Sequence, residues 1–274
     1  AILNVPITKI IFEGPENELN LTENTQPAIF LASYCIFEVV KKEFGYDFKK
    51  FKYFAGHSLG EYSALACVGS ISFEDTLKIL QKRGKFMQEA VPSGEGAMLA
   101  VLGIGSKELD KILETNNKKY ECFIANDNSN LQVVVSGLKK DINLLSNDLT
   151  NKKIKNLKLN VSAPFHCKHM KTASEKMTSY INDLKMNDLE KPIISNVTAN
   201  ETSSSKEIKS LLISQIEKKV RWLESVEYMI SNGVKNFVEI GPGKVLSGLI
   251  KRINKNVTVN SINSEEDIRL LTND

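Results

Sequence analysis

Arginine is scarce in this chain. Lysine supplies nearly all of the 36 basic residues, leaving only Arg83, Arg221, Arg252 and Arg269. Each arginine is therefore worth asking about, because its fork binds a carboxylate in a way lysine does not. Basic and acidic residues nearly balance, 36 against 33, giving a formal charge of +3, so nothing calls for nucleic acid as a partner. The four cysteines, Cys35, Cys67, Cys122 and Cys167, are far apart and form no C-x-x-C pair. That spacing excludes a disulfide scaffold and fits reduced thiols. Long apolar runs are also lacking. The stretch Pro27 to Val40 is broken by Ser33, Tyr34 and Glu38 and is too short and too polar to span a bilayer. No membrane association is expected, and no signal or transit peptide is visible at Ala1. There is no internal repeat. What remains is 274 residues at 42% hydrophobic content, enough for one large domain or two smaller ones.

The most informative stretch is Gly56-His57-Ser58-Leu59-Gly60. It reads G-x-S-x-G between a strand-like run, Phe51 to Ala55, and a helix-like run, Glu61 to Val68. A serine on a tight strand-to-helix turn has its hydroxyl pushed into open space. The next helix aims its amide N–H groups and positive dipole end beside it, where an anionic tetrahedral intermediate would be stabilised. Ser58 is the candidate nucleophile for acyl transfer.

Along the rest of the chain, periodicity predicts a helix over Gln26 to Phe44 and another over Phe73 to Ala90. Ser72 is a candidate cap for the latter, with Asp75 three residues on. After Pro92 to Gly96 the rhythm changes. Strands are expected over Ala97 to Leu102, Glu121 to Ala125, Gln132 to Ser136 and Ile154 to Val161, with helices over Ser106 to Glu114 and Lys139 to Asn151. That order, β-α-β-β-α-β, is ferredoxin-like, and residues 94–161 are expected to form a small inserted subdomain. Residues 1–93 and 162–274 would form the catalytic core. Its strands, including Pro192 to Val197 and Val234 to Ile240, alternate with helices over Ile208 to Glu217, Trp222 to Ser231 and Val245 to Ile253. Alternation of this kind implies a parallel α/β sheet.

A serine nucleophile needs a base, and the chain has three histidines, His57, His166 and His169. The side chain of His57 should diverge from that of its neighbour Ser58 around the turn. His166, in a loop just after a strand, is favoured over His169, which would start the following helix. A metal reading of His166, Cys167 and His169 lacks a second cluster, so no metal site is expected. No acidic partner for the histidine stands out, and a carbonyl could orient it instead. Arg83, beside Leu80 and Phe86 and followed by Gly84, is either a solvated helix residue or a fork for a carboxylate on the acyl group.

The blocks GHSLGEYSALA, RGKFMQEAVP, SAPFHC, VRWLESVEYM and EIGPGKVLSGL, in this order, resemble the malonyl-CoA:acyl carrier protein transacylases of type II fatty acid synthesis. The similarity runs from about Gly14 to Ile253. The resemblance implies an α/β-hydrolase-like core carrying the ferredoxin-like subdomain. It implies a two-step, ping-pong transfer in which Ser58 takes malonyl from coenzyme A and the phosphopantetheine thiol of acyl carrier protein then takes it from Ser58. It assigns His166 as base, Arg83 as the group that binds the malonyl carboxylate, the N–H of Leu59 as an oxyanion donor, and the backbone carbonyl of Gln215 as the acceptor that orients His166. Gln26, in TQPA, should lie near the site, and Phe165-His166 resembles the malonyl-type form of its loop. No cofactor beyond the coenzyme A substrate is implied, and a monomer is expected.

The family also begins with a short apolar strand and F-P-G-Q-G-S-Q, whose glutamine is a second oxyanion donor. No such segment stands ahead of the first matching block here, so the expectation is that this chain is part of a longer protein. Loss of one such donor costs about 10²–10³ in rate. A plastid-type organelle or the bacterial cytoplasm is the expected location. Two other readings share the nucleophile motif: a serine hydrolase such as a thioesterase, and an inactive binding fragment. Acidic acyl carrier protein calls for a lysine-rich face; Lys152, Lys153 and Lys155 are candidates for it and equally ordinary solvated lysines.

Overall fold

A computed structural model describes residues 2–161 and 163–273; Ser162, at the expected subdomain boundary, lies outside them. The chain is a mixed α/β fold with its strands in separate sheets. Two short helices, α1 (Ile7–Glu13) and α2 (Glu16–Leu19), precede the long α3 (Thr22–Lys42). Then come β1 (Phe54–Ala55), α4 (Leu59–Cys67) and α5 (Phe73–Gln88). The N-terminus of α5 is capped as its sequence suggested. The Ser72 hydroxyl accepts from the Asp75 N–H at 3.0 Å and donates to the Asp75 carboxylate at 2.8 Å, satisfying a donor that a helix start leaves open.

Helices α3 and α5 pack at unusually close range. A Cβ on Gly84 would lie 2.3 Å from the carbonyl oxygen of Thr22, so only glycine allows this approach. The contact brings the first turns of α3 alongside the Arg83 turn of α5. Phe30, Leu65, Leu80, Met87 and Tyr62, all essentially inaccessible to solvent, fill the space where α3, α4 and α5 meet. Burying each such side chain contributes about 1.5–3 kcal/mol.

The middle of the chain forms β2 (Gly96–Leu102), α6 (Ser106–Thr115), β3 (Cys122–Ser129), β4 (Gln132–Leu138), α7 (Lys139–Asn151) and β5 (Asn156–Lys158). The four strands make one antiparallel sheet in the order β3-β4-β2-β5. Alternate residues on one face, among them Leu99, Val101, Val133 and Val135, meet Leu109 of α6 and Ile142, Leu145 and Leu149 of α7 in an apolar core. The last strand is shorter than expected, Asn156–Lys158 in place of Ile154 to Val161, and its first residue, Asn156, bonds through its side chain to Ser146 and to the Ile154 carbonyl.

The remaining elements are α8 (Lys171–Asp183), β6 (Ile193–Ile194), β7 (Glu201–Thr202), α9 (Ser205–Glu217), α10 (Trp222–Ser231), β8 (Asn236–Ile240), α11 (Val245–Ile253), β9 (Thr258–Ile262) and α12 (Glu265–Asn273). The expectation of a parallel sheet needs correction in detail. Among the described residues the parallel pairings are β1 with β6 and β8 with β9, in two separate sheets, and β7 adds to β6 antiparallel. The expected strand over Pro192 to Val197 contracts to two residues because Ser195 and Asn196 leave the ladder. Ser195 pairs with Asn200 and Ala199, while Asn196 turns toward the serine turn. A bridge from Asn126 to Val220, with the hydrogen bonds Val220 N–H to Ala125 and Asp127 N–H to Val220, ties β3 to the segment ahead of α10.

Candidate active site

Ser58 sits between β1 and α4 with φ 53° and ψ −110°, a backbone region that non-glycine residues rarely hold. Gly56 makes the turn possible, since a Cβ there would lie 1.9 Å from the Gly60 carbonyl oxygen. Asn196 braces the turn on both sides. Its Oδ1 accepts from the Ser58 N–H at 2.7 Å and its Nδ2 donates to the Gly56 carbonyl at 2.8 Å. The outcome is a hydroxyl held off the strand–helix junction with its backbone groups already satisfied.

His166 approaches that hydroxyl, with 2.8 Å between its Nε2 and Ser58 Oγ. Its own backbone is also left-handed, at φ 57°. Its Nδ1 lies 2.8 Å from the backbone carbonyl of Gln215. A carbonyl only accepts, so Nδ1 carries the proton and Nε2 is left to accept from serine. Burial, and then the positive charge of Arg83, push the imidazole down to about 3. It is therefore neutral, and able to take a proton, at any ordinary pH. The cost is weak basicity while Arg83 is uncompensated.

Arg83 is 1% exposed. Its Nη2 donates to Ser58 Oγ at 3.0 Å and to Gln215 Oε1 at 2.8 Å, and its Nη1 donates to Gln26 Oε1 at 2.7 Å. These acceptors are a hydroxyl and two neutral amides, so they hold the fork without cancelling its charge. Arg83 Nε is buried with no hydrogen-bond partner among the described residues, and the guanidinium lies 5.5 Å from the centre of the Tyr62 ring.

The structure thus brings Ser58, His166, Arg83, Gln26 and Gln215 together. Leu59 opens α4, where a first-turn N–H has no acceptor within the helix. His57 turns away: its Nε2 pairs with Asn128 Oδ1 at 2.9 Å and its ring lies 5.7 Å from that of Trp222. His169, the other candidate base, lies elsewhere, with its ring edge-on to Phe123 and its Nε2 3.9 Å from Glu121. No group of three or more His, Cys, Asp or Glu among the described residues is placed to hold a metal ion, and no helix there is long and apolar enough to cross a membrane.

Two residues of this cluster, Asn196 and Glu61, were not singled out from sequence. Glu61 is 1% exposed, and its Oε2 accepts from Gln215 Nε2 at 2.6 Å and from the Asn196 N–H at 3.2 Å. Its place inside the GHSLGEY block was the available signal. A cleft of about 1100 Å³ runs past the turn, lined by Gly56, His57 and Leu59 on one side and by Asn126, Asn128 and Trp222 on another.

Comparison with known proteins gives the family. The model of the acyl transferase domain matches residues 3–268. The malonyl CoA-acyl carrier protein transacylase of Bacillus subtilis (strain 168) is 41% identical over 98% of this chain and 84% of its own length. The chain belongs to the malonyl CoA-acyl carrier protein transacylase family. Its counterpart from Staphylococcus aureus (strain MRSA252) is also 41% identical, over 97% of this chain and 85% of that one. Among solved structures, the acyl-carrier-protein S-malonyltransferase of Bartonella henselae superposes with a TM-score of 0.95 at 39% identity, covering 99% of this chain and 87% of its own. A malonyl-transacylase solved in complex with a type II PKS acyl-carrier protein superposes with a TM-score of 0.94 at 35% identity, over 99% and 87% of the two chains.

Proposed function

We infer that this member of the transacylase family moves malonyl from malonyl-CoA to the phosphopantetheine thiol of acyl carrier protein through a malonyl ester on Ser58. The observation that carries the reading is the Arg83 fork: buried, held by neutral amides, in contact with the nucleophile and with Nε open. A malonyl carboxylate would complete it, since an unpaired N–H on a buried guanidinium is costly.

In the first step Ser58 Oγ bonds to the thioester carbonyl carbon while His166 Nε2 takes the hydroxyl proton. The carbonyl oxygen becomes an oxyanion facing the N-terminus of α4, where the Leu59 N–H donates. As the tetrahedral centre collapses, the C–S bond breaks and the proton leaves with the coenzyme A thiol. In the second step His166 takes the proton of the carrier thiol, the sulfur bonds to the ester carbonyl carbon, and the Ser58 C–O bond breaks as His166 Nε2 returns the proton to Oγ. The carbonyl of Gln215 keeps the imidazole in the tautomer both steps require. Binding of the carboxylate also offsets the charge of Arg83, which is one of the two main causes of the weak basicity of His166. The correct acyl group therefore strengthens its own base.

We read the larger part, residues 1–93 and 162–274, as an α/β-hydrolase-like core, on the strand–Ser58–helix turn. Residues 94–161 are read as a ferredoxin-like subdomain, on the strand order and paired helices. Relatives from bacteria support a bacterial-type compartment or an organelle of that ancestry.

The test is intact mass after incubation with malonyl-CoA. A malonyl adduct is expected in the native sequence and not in Ser58→Ala, with discharge by carrier thiol and not by water. Discharge by water would instead identify a hydrolase, and no adduct in folded protein would leave a binding role.

A further inference from the structure

Glu61 is a buried carboxylate that the transfer steps leave unused. It is the third residue of α4, one turn below Ser58. One oxygen, Oε2, takes two donors from different elements: the side chain of Gln215 on α9 at 2.6 Å and the backbone N–H of Asn196 after β6 at 3.2 Å. Each of those residues holds a different part of the reacting geometry. Asn196 fixes the strained backbone at Ser58. Gln215 orients His166 with its carbonyl, holds Arg83 with Oε1, and donates from Nε2 to the Ser58 carbonyl at 3.0 Å.

We propose that Glu61 is a positioning residue for acyl transfer, whose carboxylate locks Gln215 and Asn196 and so sets nucleophile, base and arginine together. The ionised form is the stronger anchor, because an acceptor bearing charge makes shorter and stronger hydrogen bonds. Burial raises this carboxyl to about 7, with the Gln215 and Asn196 bonds and then Arg83 pulling the other way. The groups facing it titrate elsewhere. His166 is held down at about 3 and Tyr62, beside it on α4, is raised to about 12. His57 is pushed below its ordinary value by burial. Arg83 is lowered by burial from its very high ordinary value. Of this cluster, Glu61 is the group placed to change charge near neutrality.

The positioning role depends on the proposed function only for its malonyl arm. Acetylation of Ser58 by p-nitrophenyl acetate reads the same nucleophile and base without a malonyl donor. Its rate in the native sequence is expected to rise between about pH 6 and about pH 8, with a midpoint near 7. Glu61→Gln keeps an oxygen acceptor but no charge. It should be flat across that range and about tenfold slower at the upper end, the scale of one weakened charge-assisted hydrogen bond. With malonyl-CoA the loss should fall on kcat and leave KM within about twofold. A thermal melt checks that the variant is folded. A native profile flat across neutrality overturns the proposal without any variant, as does Glu61→Gln keeping the native rate and profile. An adduct from the ester but none from malonyl-CoA overturns the transacylase reading and leaves the positioning role standing.

Discussion

Under the antiparallel sheet, Leu99, Val101, Val133 and Val135 meet Leu109, Ile142, Leu145 and Leu149 with no polar partner among them. Around Ser58 burial is as complete, but the side chains are Gln26, Glu61, Arg83, His166, Asn196 and Gln215. The first region has simple packing requirements: apolar volume at alternate strand positions and along one face of each helix. The second must give every donor an acceptor, and almost every hydrogen bond in it joins residues from different elements. Burial in one place stabilises the fold. In the other it costs stability and makes charge effective at short range.

Removing the charged fork should separate the two regions most sharply. Arg83→Ala is expected to lower malonyl transfer about 10²- to 10³-fold while retaining acetyl transfer. The ratio of malonyl to acetyl adduct on Ser58 measures this, and equal loss of both would remove the carboxylate role. The converse change belongs to the dry core. Leu109→Ala should cost about 3 kcal/mol in denaturant unfolding through transfer and cavity terms. The folded fraction should acylate at the native rate, and a fall in that rate would mean the two regions are coupled.

A smaller effect comes from pH. The folded value of Glu61, about 7, lies above the ordinary 4.5, so the native state holds its proton more tightly. Its contribution is full below about 4.5 and is lost as pH rises through about 7, up to about 3 kcal/mol. His166 runs the other way: its contribution is present above its ordinary value of 6.5 and is lost as pH falls toward about 3. Glu61→Gln should therefore be more stable than the native sequence at about pH 8 and lose that advantage at about pH 5. Denaturant midpoints at the two pH values check the sign. An advantage equal at both would trace to packing instead of charge.

Much of this was legible in the sequence where the signal is local. Gly56 to Gly60 announces a strand–turn–helix, and β2 through α7 follow their hydrophobic rhythm within a few residues. The cap at Ser72 reads from Ser72 and Asp75 alone. Ser58, His166 and Arg83 stood out through motif and scarcity, and the place of Gln215 came from family resemblance. Asn196 and Glu61 did not stand out, because their meaning lies in partners: Asn196 meets Ser58 across 138 positions and Glu61 meets Gln215 across 154. The helices α1 and α2 are too short to show a period. The splitting of the parallel strands was also hidden, since β1 and β6 are two residues each and far apart in sequence, and the partner of a five-residue strand such as β8 leaves no local pattern.

The contact between Gly84 and Thr22 has a consequence for altering acyl preference. Gln26 lies one turn after Thr22 and Arg83 directly before Gly84, so the spacing of α3 and α5 sets the distance between the two side chains that we propose meet the far end of the acyl group. A longer or branched dicarboxylate would require the two helices to part, and a side chain at position 84 forces that separation.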